Sequence, residues 1–159
     1  MSEWHETDQL DWNALLIVGM GNRIKSDDGA GIYICEELRK QGIENIVIAE
    51  NSIENYIGKI NRYKAKTILM IDAVDMGEEP GIFKLLPVDK IQNTTTNTHN
   101  LSIRTISSFF ETKDQWVLAI QPEEVSFGMG LSTRVQSAAN KIVGELLEKY
   151  KSNQQILKL

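Results

Sequence analysis

The chain has 159 residues, 42% hydrophobic and 25% charged, with a net charge of −5. These are the proportions of an ordinary globular domain, and they exclude the fibrous and disordered classes. The acidic balance argues against a nucleic-acid footprint, and a single cysteine, Cys35, excludes both an intramolecular disulfide and a thiolate metal cage.

Residues 1–12 are polar and acidic and read as a tail without a signal-type apolar core. The first strong element is Ala14 to Val18, a continuous apolar run ending in Gly19, as expected of a strand buried on both faces. With Trp116 to Ile120 it is the longest apolar run, far too short to span a bilayer. The expectation is a cytoplasmic protein with no membrane segment and no nucleic-acid partner. A polar loop, Gly19 to Gly29, follows the first strand. Ile32, Cys35 and Leu38 then recur at helical spacing until Gly42.

Asn45 to Ala49 reads as a second strand, and Ile53, Ile57 and Ile60 mark one helical face. A third strand, Thr67 to Ile71, delivers Asp72 at its carboxyl end. Gly81 to Leu86 reads as a fourth strand. Residues 91–100 read as an irregular polar loop ending near His99, with a helix over Leu101 to Phe110. Trp116 to Ile120 is the fifth strand. A last helix covers Thr133 to Tyr150, with Val135, Ala139, Ile142, Leu146 and Tyr150 on one side, and a frayed tail follows Lys151. Strands alternating with helices predict one three-layer αβα domain over residues 1–159, with a mostly parallel sheet of about five strands.

In open α/β sheets ligands bind beyond the carboxyl ends of the strands. Three polar clusters converge there: the loop Gly19 to Gly29, Asp72 to Asp75, and Gln121 to Glu123. The glycine loop fails as a dinucleotide fingerprint. Gly19 and Gly21 fit, but the third glycine position is Ile24, and Asp27 and Asp28 would repel a pyrophosphate. One of these two aspartates is expected to cap the following helix, which leaves the other surplus. Asp75 reads as a turn residue, and Cys35 as core on an apolar helix face. Asp72 and His99 each have a structural alternative, as a turn cap and as an ordinary loop residue. Taken together, Asp28, Asp72 and His99 form an N/O ligand set on separate loops at one sheet edge. It suits nickel, zinc or similar divalent ions.

At these residues the sequence resembles the hydrogenase maturation endopeptidases, which trim the C-terminus of the large subunit of nickel–iron hydrogenases. The matching motifs are Val18 to Asn22 with Asp27 to Gly31, Ile71-Asp72-Ala73, Thr98-His99-Asn100 and Ile120 to Glu123. Asp72 to Gly77 with Pro80-Gly81 is most similar to the branch serving formate-hydrogenlyase and related membrane-bound hydrogenases. The resemblance implies that Asp28, Asp72 and His99 ligate metal and that Asp28 and Asp72 serve catalysis. It also implies that the chain carries no resident cofactor. The metal would be nickel already placed in the large-subunit precursor, with cadmium or zinc as substitutes. Hydrolysis would then use either a metal-activated water or carbonyl, or a carboxylate general base. The chain departs from the family at Glu50-Asn51-Ser52, where an Asp-Gly-Gly-type turn is common. Two other readings compete: a non-catalytic nickel-binding assembly chaperone, and a peptidyl-tRNA hydrolase. The latter predicts a basic face and a histidine soon after Asn22, where this chain has acidic residues and none.

Overall fold

The computed structural model describes residues 11–91 and 98–157, with side chains over 11–91 and 103–154. Its elements run β1 (Leu15–Met20), α1 (Ala30–Lys40), β2 (Ile46–Glu50), α2 (Ile57–Arg62), β3 (Thr67–Ala73), β4 (Phe83–Pro87), α3 (Thr98–Ser107), β5 (Asp114–Ile120) and α4 (Thr133–Leu157). The sheet order is β2-β1-β3-β5-β4. The first four strands in that order are mutually parallel, and β4 closes the edge antiparallel to β5. The three-layer αβα architecture expected from the alternating pattern is what the chain forms.

Both β1 and β3 are buried along their whole length, which is why they read as unbroken apolar runs. Alternate residues feed two cores. Leu15, Ile17, Leu69, Ile71, Leu118 and Ile120 pack with α1 and α4 on one face. Leu16, Val18, Ile68, Met70, Val117 and Ala119 pack with Ile60 of α2 and Ile103 of α3 on the other. The period-two division follows from strand geometry.

Several boundaries differ from the sequence reading. Asp72 lies inside β3 and not after it, because Asp72 and Ala73 still pair with Ala119 and Ile120 of β5. Trp12, assigned to the tail, is buried and meets the Tyr150 ring edge-on at 6.1 Å. Residues 1–10 lie outside the described residues. The last helix continues past Tyr150 to Leu157, so the expected frayed tail is helical for six residues beyond Lys151. His99 falls in the first turn of α3 and not in a loop before it. No helix among the described residues is long and apolar enough to cross a membrane.

The chain runs from β1 outward to β2, then returns to β3 on the other side of β1. That reversal opens a crevice at the carboxyl ends of β1 and β3, where open α/β sheets place their ligands.

Candidate active site

The crevice is floored by two carboxylates. Asp28 arrives on a 3-10 turn, Ser26–Gly29, between β1 and α1. Asp72 arrives on β3. Each is only 2% exposed. The Asp72 carboxyl is held well above the ordinary aspartate range, first by burial and then by the charge of Asp28. The Ala73 N–H, donated to Asp72 Oδ1 at 2.9 Å, opposes the shift without cancelling it. Two acidic groups from separate elements thus share one dry site, and their burial and mutual charge favour the protonated form of Asp72.

Glycines make this approach possible. Gly21 has φ 128, and a Cβ there would lie 1.9 Å from the Asp28 carbonyl oxygen and 3.6 Å from Asp72 Oδ1. A Cβ on Gly31 would lie 2.2 Å from the Ile71 carbonyl oxygen. Any larger residue would push the turn and helix α1 off the end of the sheet. The glycine loop therefore seats carboxylates against strand ends and does not cradle a phosphate.

Neither aspartate caps α1. Its N-cap position is Gly29, and no side chain bonds there. Asp27 is instead fully buried. Its Oδ2 accepts the N–H groups of Glu123 and Glu124, each at 2.9 Å, and the Ser132 hydroxyl at 2.8 Å. Its Oδ1 accepts the Ser132 N–H at 2.7 Å. Asp27 therefore anchors the loop after β5 to the turn that carries Asp28. The sequence reading missed this role, and no spacing rule signals it, since its partners lie about a hundred residues away.

Gln121 orders the opposite wall. Its Oε1 accepts the N–H of Met76 at 2.6 Å and of Glu78 at 3.2 Å, while Nε2 donates to Asp75 Oδ1 at 3.2 Å. Asp75 also accepts the Gly77 N–H, the turn role expected of it. At the departure Glu50-Asn51-Ser52, Glu50 adopts φ 54, a left-handed conformation that glycine takes at no steric cost. The Glu50 carbonyl accepts the Gly21 N–H at 3.1 Å. Arg23 joins this turn to α1 by pairing with Glu50 and Glu36. Cys35 is buried with its thiol pushed up to about 12, chiefly by desolvation, so it is core and no nucleophile.

The backbone of His99 lies in the first turn of α3, and its side chain lies outside the described residues. Among the described residues, no three histidine, cysteine or acidic side chains form a ready metal cage. Two of the three expected ligands are thus brought together, and they are hard oxygen donors that suit a divalent cation.

The hydrogenase maturation protease family model matches residues 32–149. The chain belongs to the hydrogenase maturation protease family. A putative hydrogenase maturation protease of Methanocaldococcus jannaschii is 29% identical over 147 residues, covering 84% of this chain and 86% of its own. The Hydrogenase 3 maturation protease of Escherichia coli is 27% identical over 136 residues, with 82% and 87% covered. The solution structure of the endopeptidase HycI from Escherichia coli matches with a TM-score of 0.69 at 26% identity, covering 82% of this chain and 87% of that one. A maturation protease crystal structure from Thermococcus kodakarensis gives a TM-score of 0.73 at 22% identity over 86% and 92% of the two chains, a likeness of fold. Membership makes this chain a peptidase of hydrogenase maturation, acting on a hydrogenase precursor. It also sets aside the peptidyl-tRNA hydrolase reading.

Proposed function

We propose that this maturation protease removes the C-terminal extension of a nickel–iron hydrogenase large-subunit precursor, and that Asp28, Asp72 and His99 read the nickel already inserted there. The observation that carries the reading is the burial of Asp28 and Asp72 side by side at the switch point of the sheet. A divalent cation is the ligand that suits such a pair. Two carboxylates in a dry site repel one another, and a divalent ion between them converts that repulsion into attraction.

Substrate nickel then couples recognition to chemistry. A raised carboxyl pKa sets a proton in competition with the ion at Asp72, so binding strengthens as pH rises through the range where that group titrates. The ion polarises the scissile carbonyl, and a carboxylate oxygen takes the proton of the attacking water. Water adds across the peptide bond to leave a new carboxyl terminus and a free amine. A precursor without nickel offers no ion to the site and stays uncut, which makes cleavage a check on metal insertion.

The test is incubation with a nickel-loaded precursor and with the same precursor stripped of nickel. Shortening of the loaded form alone, abolished by Asp72→Asn and by His99→Ala, is expected. A stable complex that never shortens would leave the assembly-chaperone reading in its place. Equal cleavage of both precursor forms would remove nickel from recognition.

A further inference from the structure

The described residues leave seven large apolar side chains exposed, and four of them, Ile24, Val125, Phe127 and Met129, lie on two loops beside Asp28. Phe127 and Met129 are 79% and 78% exposed, more than any other large apolar group described. The loops are fastened together. Ser26 donates its N–H to the Gly128 carbonyl at 2.9 Å, and Gly128 donates to the Ile24 carbonyl at 3.0 Å. The Ser26 hydroxyl donates to the Ser126 carbonyl at 2.9 Å, and Lys25 forms a parallel bridge with Gly128.

The sequence Val125-Ser126-Phe127-Gly128-Met129-Gly130 alternates apolar with small residues. Gly128 sits against the partner loop, where a Cβ would lie 3.0 Å from Ser26 Oγ. Val125, Phe127 and Met129 are all exposed along this loop. Lys25 Nζ lies 6.0 Å from the Phe127 ring centre and steadies it from one side. Asp27 fixes the base of the same loop. Beside Met129 a groove of about 260 Å³ runs between α1 and the start of α4, lined by Ile32, Tyr33, Leu131 and Gln136 and bounded by Gly29. Apolar side chains held this firmly in water mark a contact surface.

We infer that this row and its groove dock an apolar stretch of the hydrogenase precursor beside the bond to be cut, an inference that rests on the proposed function. Continuity with the site carries the choice of occupant. The Ile24–Ser26 strip leads within two residues into Asp28, and Gly29 borders both the groove and the Asp28 turn. A second copy of this chain fits less well. Four such side chains, at these exposures, present less than the ~800 Å² each partner buries in a standard stable interface. A substrate segment anchored a second time at the carboxylates needs no more area than this.

The experiment measures binding apart from cleavage. A nickel-loaded large-subunit precursor encoded in the same genome is immobilised, and the Asp72→Asn protein, which does not turn over, is titrated onto it. Adding Phe127→Ser with Met129→Ser is expected to weaken Kd roughly tenfold or more, as loss of two central anchors does. Phe127→Leu should stay within about threefold of the parent, since leucine keeps most of the apolar contact. The doubly substituted protein should melt within about 1 °C of the parent, because both residues are exposed. An unchanged Kd, or a parent that does not bind the precursor, overturns the inference. So does sedimentation showing a dimer that the double substitution splits. If patch-dependent binding holds while the wild-type chain never shortens the precursor, the docking surface stands and the protease reading falls.

Discussion

Asp72→Asn should stabilise the fold while it abolishes the activity. Asparagine keeps the oxygen that accepts the Ala73 N–H and removes the group that Asp28 repels. The sign follows from linkage. The folded carboxyl titrates above its ordinary value of 3.8, so above that pH the unfolded chain sheds a proton that the fold retains. This contribution is destabilising. It is absent near pH 4, grows as pH rises by up to about 1.4 kcal/mol per unit, and levels off once the folded group ionises. Between the ordinary value of 3.8 and pH 7 the penalty is therefore at most about 4 kcal/mol. The asparagine amide must find its own partners in a dry site, so the net gain at pH 7 falls below that ceiling. Urea unfolding at pH 4.5, 5.5, 6.5 and 7.5, with a chelator present, measures it. The gap between the two proteins should widen with pH. A variant less stable than wild type at pH 7, or a gap that does not depend on pH, would refute the reasoning that the pair is frustrated.

Gly21→Ala should cost about 3 kcal/mol or more, because its Cβ would sit 1.9 Å from the Asp28 carbonyl oxygen at φ 128; differential scanning calorimetry should show Tm lower by roughly 6–12 °C. Asp27→Ala removes the acceptor for three backbone N–H groups and one hydroxyl, and should cost about 3–5 kcal/mol. Hydrogen exchange should speed up over residues 123–132 in that variant before it does elsewhere. The Cys35 thiol, pushed up to about 12 by burial, should be inert to Ellman's reagent at pH 8 in the folded protein and react fully in urea.

The strands that carry the site were the most legible feature, because β1 and β3 are buried on both faces and leave no polar interruption. Their ends were less so. Apolar character stops at Ile71, yet pairing continues two residues further, since backbone hydrogen bonds to β5 are blind to side-chain polarity. That difference buries Asp72 and raises its pKa, where a loop position would have left it solvated. The site itself was half legible. Asp28 and Asp72 follow from strand ends and motifs. The work of Asp27, Gly31 and Gln121 depends on partners distant in sequence, which no local pattern carries. The apolar row at Val125, Phe127 and Met129 does have a local signal, its period of two. Gly128 between those residues and Gly130 after them hid it, because glycine and proline mark loops in a sequence before alternation marks an edge.

The adjacent aspartates show how partners and not residue type decide a role. Asp27 and Asp28 are chemically identical, consecutive and both buried. The turn gives them different partners. Asp27 meets four hydrogen-bond donors, and a carboxylate so surrounded is stable and chemically quiet. Asp28 lies close enough to the Asp72 carboxyl for its charge to push that group's titration up, an arrangement that a cation would relieve under the proposed function. One residue therefore rigidifies the turn so that its neighbour can hold an unfavourable position. Substitution should separate the two roles: changes at Asp27 fall on stability and loop protection, while changes at Asp28 fall on metal-dependent turnover. Were Asp28→Asn to destabilise the fold as strongly as Asp27→Ala, this division of labour would be wrong.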